Sequence, residues 1–558
     1  MHKHSPLTFG SILPEAISSF NHLPALGYAG ESPLTYRQLG EHIDALMAYL
    51  EDLAIMPGDK VAILSQNMPN WGIAFFALQR MGIVAVPLLP DFSTHEISNI
   101  NIHAGLKAVF VSENLQYKID TLEIPFEGIV LRLEDFSLIK KRAAKAVFDI
   151  TKKPVGTYSP DEIDLSILLY TSGTTGEPKG VMLSQKNVIT NAIQSNAVQP
   201  ILPGYKFLSV LPLSHTYENT LGLVLPIMQG ASVSYLRKPP IASVLVPAMQ
   251  AVRPDIMLTV PMIIEKVYKS SILPEIQKKT ATRLLTKFAP TRQLIHRMAG
   301  RKLMKKFGGR LKFFGIGGAK LDATVERFLR EARFPYAIGY GLTETAPLLA
   351  GSNPHNTRLQ AIGPAVIECE LKIANPNPRT GEGEIWAKGP NIMLGYYKSP
   401  ERTSEVFSED GWFKTGDLGV FDADGYLSHK GRLKNMIVGA NGENIYPEEI
   451  ETLINNFRHV VESVVVEQKG ALVAMVHYNR EELELKLKEM KADITQKVDD
   501  KIEEIAARAD KAVEELTREL HQYINSRVNK ISRIHVMVEQ RDPFQKTATQ
   551  KIKRYLYA

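Results

Sequence analysis

Short runs of β-branched and aliphatic residues recur along the first part of the chain, and longer stretches that mix apolar and polar positions separate them. These runs occupy 61–64, 83–86, 108–111 and 129–131, and a second set after Asp161 occupies 165–169, 207–210 and 313–316. Buried strands that alternate with amphipathic segments are typical of βαβ units and largely parallel sheets. The pattern therefore predicts an α/β fold whose large N-terminal part holds two parallel-sheet subdomains.

The pattern changes between about 355 and 430, where pairs of turn-forming residues such as Asn377-Pro378, Asp410-Gly411 and Asp424-Gly425 separate short strands. This texture predicts a small antiparallel β-barrel or sheet. Further along, Pro447 stands where a proline fits the first turn of a helix. We therefore predict an N-terminal domain over 1–431, a boundary segment over 432–435 and a small α+β domain over 436–558.

Residues 481–528 contain neither Gly nor Pro. Their apolar positions recur at a mean step of about 3.75 residues, slightly above the 3.6 of a straight helix, so a strict heptad coiled coil is not supported. The stretch carries thirteen acidic and nine basic residues, a balance that disfavours contact with an anionic membrane. We predict a helical insertion in the C-terminal domain, either a hairpin or a packed arm.

The 558 residues exceed what one hydrophobic core usually serves. Cys369 is the single cysteine, which excludes an internal disulfide. No long apolar stretch follows the N-terminus, and the most apolar segment, 221–236, is interrupted by Pro226 and Gly230 and is too short to span a bilayer. We expect a cytoplasmic protein, with peripheral contact at the inner membrane face left open.

The net charge of +6 is unevenly distributed. Residues 278–312 include twelve Lys or Arg and no Asp or Glu, interleaved with large apolar residues. Such a stretch can lie on an anionic membrane, attract the phosphates of a nucleotide cofactor or form a well-solvated pair of helices. No recognition motif accompanies the charge, so nucleic acid is not expected as a partner. The sequence does not indicate an oligomeric state.

The segment from Tyr170 to Gly180 combines three glycines, several hydroxyl residues and a lysine directly after the apolar run 165–169. Unpaired backbone N–H groups of a glycine-rich loop at a strand exit suit phosphate oxygens. The spacing differs from that of the common phosphate loop, which needs Gly, four residues, then Gly-Lys and Ser or Thr. A surface hairpin is the alternative; we interpret the segment as a loop that wraps the phosphates of ATP.

Six further motifs follow this loop, in the stretch from residue 211 to residue 551. In content and order the set resembles the signatures of the adenylate-forming (AMP-binding) superfamily, which includes acyl-CoA synthetases, luciferases and the adenylation domains of peptide synthetases. The motifs occupy 211–218, 317–319, 340–345, 415–417 and 431–435, and the last is Lys551.

The resemblance implies which residues act on the phosphates. Thr171 and Glu344 would contact Mg²⁺, which prefers oxygen ligands, and Thr343 would contact the α-phosphate of ATP. Lys551 would be the catalytic lysine of adenylation, because it would reach both the substrate carboxylate and the α-phosphate. The other residues that the resemblance places around the phosphates are Ser172, Gly173, Thr174, Thr175, Gly176 and Lys179.

The resemblance also implies a nucleoside site. Tyr340, followed by Gly341, would offer adenine a flat face, and Asp417 would accept hydrogen bonds from the ribose hydroxyls with Arg432 beside it. Each residue has a structural alternative, because Tyr340 could belong to a core and Asp417 could cap a turn.

Members of the superfamily use two orientations of a small C-terminal domain, and the resemblance places the hinge at Lys434. In one orientation Lys551 would meet the nucleotide, and in the other the loop 438–443 would take part in thioester formation. Gly439 and Gly442 would let that loop approach the pantetheine arm of coenzyme A closely. Gln550 departs from the family pattern, which commonly has Gly before the lysine.

The substrate acid is inferred from the motif 211–218, which contains His215 and no carboxylate before Glu218. Adenylation domains for amino acids usually have an Asp in this motif that pairs with the ammonium group, so the resemblance disfavours an amino acid. This motif together with 260–268 resembles long-chain acyl-CoA synthetases. The resemblance implies an ATP-dependent ligase that joins a medium- to long-chain fatty acid to coenzyme A. His215, Gly317, Gly318 and Ala319 would lie near the carboxyl end of an apolar tunnel. The alternatives are a fatty acyl-AMP ligase that loads a separate acyl-carrier protein and a non-catalytic acyl or nucleotide sensor.

Overall fold

A computed structural model describes residues 6–140, 146–172, 178–278, 280–438, 444–468, 470–484, 502–547 and 552–558. The chain divides into two compact units. The first comprises Met1–Ala374, Ile385–Thr415 and Phe421–Ser428, and the second comprises Asn375–Glu384, Gly416–Val420 and His429–Ala558. The domain and hinge boundaries drawn from the sequence stay a prediction.

The strands, in chain order, are β1 (Pro24–Tyr28), β2 (Leu34–Thr35), β3 (Lys60–Leu64), β4 (Val84–Leu88), β5 (Ala108–Val111), β6 (Ile129–Arg132), β7 (Leu138–Lys140), β8 (Leu165–Ser172), β9 (Pro178–Ser184), β10 (Lys206–Leu208), β11 (Ser232–Tyr235), β12 (Ile256–Thr259), β13 (Phe313–Ile316), β14 (Tyr336–Gly341), β15 (Leu348–Gly351), β16 (Glu370–Ala374), β17 (Gly383–Lys388), β18 (Gly395–Tyr396), β19 (Phe413–Phe421), β20 (Leu427–Arg432), β21 (Ile437–Val438), β22 (Asn444–Ile445), β23 (Val460–Gln468), β24 (Ala471–Tyr478) and β25 (Val536–Glu539).

The α-helices, in chain order, are α1 (Phe9–Ser19), α2 (Tyr36–Asp52), α3 (Pro69–Met81), α4 (Thr94–Ala104), α5 (Tyr117–Asp120), α6 (Gln185–Val198), α7 (Thr216–Glu218), α8 (Leu225–Met228), α9 (Ala242–Val252), α10 (Pro261–Val267), α11 (Leu273–Gln277), α12 (Thr280–Leu285), α13 (Ala289–Lys306), α14 (Ala323–Glu331), α15 (Pro400–Val406), α16 (Pro447–Asn455) and α17 (Ile502–Asn525). π-Helical turns span Asn219–Val224 and Tyr268–Ile272.

Two eight-stranded sheets form the core of the first unit, in the orders β15-β14-β13-β12-β10-β11-β1-β2 and β18-β9-β8-β4-β3-β5-β6-β7. Neighbours from β14 to β1 in the first sheet are parallel, as are those from β8 to β6 in the second. Strands buried on both faces of a sheet need continuous apolar runs, and all four residues of β5 are buried. The predicted α/β fold with two parallel sheets is confirmed.

Helix ends in this unit follow from local sequence. Thr35 and Gln38 form a capping box at the start of α2, which satisfies backbone N–H groups that the first turn leaves unpaired. Helix α3 begins with Pro69 and ends where Gly82 adopts φ 69°, a left-handed conformation that glycine adopts readily. Its side chains are buried on almost every face, including Trp71, so α3 is an interior helix.

Between 355 and 430, β16, β17, β19 and β20 form a four-stranded sheet in that order. Of the two predicted alternatives, barrel and sheet, the described strands form the sheet.

The second unit contains the three-stranded sheet β23-β24-β25 and the helices α16 and α17. Helix α16 begins at Pro447, as predicted. Within the predicted insertion 481–528, helix α17 covers 502–525, and 485–501 lie outside the described residues. The apolar side chains of α17 that pack into the core of this unit are Val513, Leu516, Leu520 and Ile524.

Candidate active site

The predicted phosphate loop joins two antiparallel strands of the first unit. In the β8–β9 pair, Thr171 lies opposite Lys179 and Ser172 lies opposite Pro178. The strands therefore hold both ends of the connection 173–177 close together. Gly173, Thr174, Thr175 and Gly176 lie within this connection and outside the described residues, so their proposed contacts with phosphate stay predictions.

Lys179 reaches Glu344, which comes from a segment far along the chain. The Lys179 Nζ atom lies 3.4 Å from Glu344 Oε1 and 4.0 Å from the centroid of the Tyr396 ring. The Tyr396 hydroxyl donates a hydrogen bond of 2.9 Å to the same carboxylate oxygen. An ammonium and a phenol thus hold a partly exposed carboxylate at the start of β9, and charge-assisted contacts of this kind fix its orientation.

Tyr396 reaches this cluster because β18 pairs with β9, with Gly395 opposite Met182 and Tyr396 opposite Val181. No sequence motif indicated this residue. A strand of two residues carries no periodic signal, and its pairing depends on the whole sheet, so only the three-dimensional structure could locate it.

Thr343 and Glu344 lie in a single 3₁₀ turn, Thr343–Thr345, that follows β14. The Leu342 N–H donates to the Thr345 hydroxyl oxygen, and the Thr345 O–H donates to the Pro347 carbonyl. Space beside this turn is very small, because a Cβ atom added at Gly341 would lie 1.8 Å from the Pro347 carbonyl oxygen. Only a glycine fits there, so the packing of this turn alone requires glycine at position 341.

Tyr340, predicted to face adenine, is buried in a cluster with Leu349, Ala350 and Ile362. This packing is compatible with both interpretations of Tyr340 from the sequence, as a core residue and as a wall of the adenine site. Thr343 is half-buried. The roles of both residues stay predictions.

The predicted motifs around 211–218 and 317–319 meet through Tyr217. Gly317 follows β13, and its N–H donates to the Thr259 carbonyl at 3.1 Å. A Cβ atom at Gly317 would lie 3.2 Å from the Tyr217 ring, and one at Gly315 would lie 3.1 Å from the Tyr217 hydroxyl. The Tyr217 side chain therefore packs directly on Gly315 of β13 and on Gly317 just after it. Gly318 and Ala319 follow and are exposed, with Gly318 at φ 84°.

His215 is exposed at the start of α7, where its Nδ1 atom accepts from the Tyr217 N–H at 3.5 Å. The structure thus places His215 on the same short segment as Tyr217. Its proposed position at the acyl carboxylate stays a prediction.

Glu218, the last residue of this motif, is only 2% exposed. Burial raises the pKa of Glu218 to about 8, and a hydrogen bond from the Ser209 side chain opposes part of that rise. Gly222 makes room for the carboxyl group, since a Cβ atom there would lie 2.7 Å from Glu218 Cδ. The carboxyl is therefore mostly neutral at neutral pH. The sequence indicated no role for Glu218, although this residue stands at the end of the motif 211–218.

A cluster of cationic residues lines a cavity of ≈ 340 Å³ beside β9. His103, Lys179, Lys398 and Arg402 contribute to its wall. The His103 Nδ1 atom is hydrogen-bonded to the Tyr170 hydroxyl at 2.8 Å, and burial, with the charge of Lys398 nearby, lowers the pKa of His103. The cavity therefore draws its positive charge from the lysines and the arginine, and it suits an anion.

The predicted ribose-binding pair lies in the second unit. Asp417 is buried in β19, and Arg432 Nε lies 2.9 Å from Asp417 Oδ1. His429 Nε2 lies 3.8 Å from the same oxygen. Lys434 is exposed in the 3₁₀ turn Leu433–Asn435, directly after Arg432. The predicted neighbourhood of Asp417 and Arg432 is thus present, and their contact with ribose stays a prediction.

Lys551, Gly439 and Gly442 lie outside the described residues. Within the described ranges, no group of three or more His, Cys, Asp or Glu side chains is arranged to hold a metal ion. The predicted magnesium contacts, Thr171 and Glu344, would supply only one hydroxyl and one carboxylate, so a metal there would need most of its ligands from phosphates and water.

A comparison with protein families matches residues 14–397 to the model of the AMP-binding enzymes. Among curated proteins, the chain is 28% identical over 496 residues to long chain acyl-CoA synthetase 7, peroxisomal, of Arabidopsis thaliana, covering 82% of this chain and 70% of that protein. It is also 28% identical over 494 residues to a long-chain-fatty-acid–CoA ligase of Salmonella typhimurium, covering 82% of both chains.

Among solved structures, ATP-bound MatB from Rhodopseudomonas palustris has a TM-score of 0.75 and 22% identity, covering 99% of this chain and 98% of that one. The o-succinylbenzoate–CoA synthetase MenE from Bacillus subtilis, in complex with ATP and magnesium, has a TM-score of 0.71 and 21% identity, covering 97% of this chain and 98% of that one. At these identities the two likenesses concern the fold alone.

Proposed function

This chain belongs to the AMP-binding enzyme family, and we propose that it activates a medium- to long-chain fatty acid with ATP and transfers the acyl group to coenzyme A. The match over residues 14–397 confirms the family that the sequence motifs resembled. The observation that carries the proposal is the meeting of Lys179, Glu344 and Tyr396 at the start of β9. These groups come from remote parts of the sequence. They meet next to the last residues of the segment 170–180, which the motif assigns to phosphate binding.

The first half-reaction joins two anions, and the site supplies the opposing charge. A carboxylate oxygen of the fatty acid attacks the α-phosphorus of ATP, the bond between the α-phosphorus and the bridging oxygen breaks, and pyrophosphate leaves with the electron pair. Fixed positive charge stabilises the transition state because it is already oriented where negative charge accumulates. We assign Lys179 to the departing pyrophosphate and Lys551 to the α-phosphate and the substrate carboxylate.

Glu344 and Thr171 fit a magnesium ion, because both offer oxygen donors and one carboxylate suffices when phosphates and waters complete the coordination. Lys179 and Tyr396 already orient the Glu344 carboxylate. When bound, magnesium would neutralise part of the charge on the phosphates.

In the second half-reaction the thiolate of coenzyme A attacks the acyl carbon, and AMP leaves with the electrons of the carbon–oxygen bond. We assign Gly439 and Gly442 to the approach of the pantetheine arm and Lys434 to the hinge that changes the orientation of the C-terminal domain. Asp417 and Arg432 would hold the ribose through both half-reactions.

The apolar part of the substrate is assigned from the packing around Tyr217, whose side chain covers Gly315 and Gly317. A site that begins at His215 and Gly317 would leave the fatty chain among apolar residues. Each methylene buried there contributes about 0.8 kcal/mol, so the length of the apolar site would determine the preferred chain. The names of the relatives from Arabidopsis and Salmonella, both long-chain enzymes, support this assignment.

The test is a panel of straight-chain acids from butyrate to stearate, incubated with the protein, ATP, magnesium and free coenzyme A. We expect acyl-CoA, AMP and pyrophosphate in equal amounts, with a maximum among the medium and long chains. Acyl-AMP that reacts with an acyl-carrier protein and not with coenzyme A would overturn the choice of acceptor. A panel without any acid-dependent pyrophosphate would overturn the catalytic proposal and favour a sensor.

A further inference from the structure

The segment 278–312 combines an unusual charge with an unusual surface. It holds twelve Lys or Arg and no Asp or Glu, whereas the whole chain holds 66 basic and 60 acidic residues. Large apolar side chains in this segment are also exposed: Phe288 is 62% exposed and Leu294 is 60% exposed, and Leu284, Leu285 and Met298 are exposed as well. Exposed apolar groups that occur together mark an interaction surface more often than isolated ones do.

The packing of α13 fixes which of its faces points outward. Its buried residues are His296, Gly300 and Leu303, and a Cβ atom at Gly300 would lie 2.7 Å from Ala332 Cβ, so the helix lies close to its neighbour on that side. Arg292 and His296 both pair with Glu331, at 2.8 and 2.7 Å. These contacts hold the opposite face in the solvent.

That outward face carries Leu294, Met298, Arg301 and Lys305, which are spaced by four, three and four residues and therefore lie in one row along the helix. The two apolar side chains are nearest the start of α13, where Phe288 directly precedes the helix and Leu284 and Leu285 end α12. The cations Lys287, Arg297 and Arg301 are exposed among them. We call this surface the α12–α13 face.

We propose that the α12–α13 face docks on the surface of an anionic lipid bilayer. The excess of cations is complementary to an anionic partner, and the exposed Phe, Leu and Met side chains are complementary to an apolar one. A bilayer interface offers both, since apolar side chains enter the boundary between headgroups and acyl chains while Lys and Arg pair with anionic headgroups. Nucleic acid or an acidic protein would satisfy the cations and leave this group of aliphatic side chains without a partner.

The row of apolar and basic side chains on one exposed face of α13 suits attachment at the interface. Within the part of the chain that the structure describes, no helix is long and apolar enough to cross a bilayer. Lys302 forms an ion pair with Glu275, which offsets its charge. The cations that we expect to contact anionic headgroups are Lys287, Arg297 and Arg301. The proposal does not depend on the reaction, because it concerns binding of the protein to lipid alone.

The test is flotation of the full chain with vesicles, either of phosphatidylcholine alone or of equal parts phosphatidylcholine and phosphatidylglycerol. We expect binding to the anionic vesicles, weak binding to the neutral ones, and a loss of binding at high salt because exposed charges are screened. Two double variants probe the face: Phe288→Ser with Leu294→Ser removes apolar area, and Arg297→Glu with Arg301→Glu reverses charge. Each should lower the partition coefficient by about tenfold or more.

Matched controls come from exposed residues outside the segment. Val155 is 94% exposed and Ile163 is 60% exposed, so Val155→Ser with Ile163→Ser removes a comparable exposed apolar area. Arg37→Glu with Lys107→Glu makes the same change in net charge at exposed positions. Both controls should bind anionic vesicles like the parent protein, and all four variants should keep the parent thermal midpoint if they are folded.

A second readout keeps the proposal falsifiable if a variant fails to fold. Leu294→Cys in a Cys369→Ser background, labelled with an environment-sensitive dye, should show a blue shift with anionic vesicles and none with neutral ones. Absence of flotation at low salt together with an unshifted dye would overturn the proposal. Equal loss of binding in the face variants and the controls would also overturn it, as would binding to an acidic polypeptide with no binding to vesicles.

Discussion

Replacing Glu218 by glutamine should stabilise the first unit by an amount that grows with pH. The carboxyl is buried, and its pKa is raised from 4.5 to about 8. Below pH 4.5 the group is protonated in both the folded and the unfolded chain, so ionisation costs nothing. Between pH 4.5 and 8 the unfolded chain ionises while the folded one keeps its proton, and the free energy of unfolding falls as pH rises. The total loss from this group is about 5 kcal/mol.

Glutamine has nearly the same shape and does not titrate, so the Glu218→Gln variant should lack this loss. The difference in the free energy of unfolding between variant and parent should increase by about 2 kcal/mol between pH 6 and pH 8. Comparing the two pH values removes any constant effect of the substitution, such as a changed hydrogen bond with Ser209.

Urea unfolding followed by tryptophan fluorescence measures this difference in free energy for the first unit, which contains Glu218. The chain contains three tryptophans, and Trp71, Trp386 and Trp412 all belong to the first unit, as Glu218 does. Glu409→Gln, at an exposed position of the same unit, serves as the matched control and should follow the parent at both pH values. Parallel pH profiles of parent and Glu218→Gln would refute the reasoning, because they would mean that the buried carboxyl is ionised without penalty.

Three further predictions concern the proposed reaction. Glu344→Gln should reduce acid-dependent pyrophosphate release by about 100-fold or more, with a higher magnesium requirement; an unchanged magnesium titration would remove Glu344 from the metal site. Tyr396→Phe deletes the hydroxyl that donates to Glu344 and keeps the ring under Lys179, so we expect a loss of about tenfold in the same assay, and a loss as large as that of Glu344→Gln would contradict a purely orienting role. Lys551→Ala should suppress formation of acyl-AMP while largely sparing thioester formation from supplied acyl-AMP, and equal loss of both half-reactions, measured separately, would rule out that division.

The sequence predicted the parallel strands well because each is a buried run that needs no partner to be recognised. Residues 108–111 and 313–316 were predicted as strands and form β5 and β13. The start of α16 at Pro447 was equally local, since it depends on the missing N–H of proline at the first turn.

Contacts between remote segments could not be predicted in this way. The position of Tyr396 beside Lys179 depends on the short strand β18 joining β9. The packing of Tyr217 against Gly317 depends on the strand order β13-β12-β10. In 278–312 the sequence showed that apolar and basic residues alternate. It did not show that Leu303 and Phe307 face the core while Leu294 and Met298 face solvent, because periodicity locates a stripe on a helix without saying which side another element covers.

In the candidate site, too, the sequence identified single residues and did not identify the contacts between them. The motifs identified Lys179 and Glu344 separately, and their proximity at 3.4 Å became visible only in the structure. The roles of Lys551, Gly439 and Gly442 rest on the family resemblance and stay predictions.

The absence of a side chain at Gly341 has a consequence for directed evolution. With the Pro347 carbonyl oxygen 1.8 Å from where a Cβ atom would be, even alanine would force the neighbouring turn to move. A saturation library at this codon should return a single amino acid among active clones. Attempts to reshape nucleotide preference would therefore succeed only by mutating positions around it.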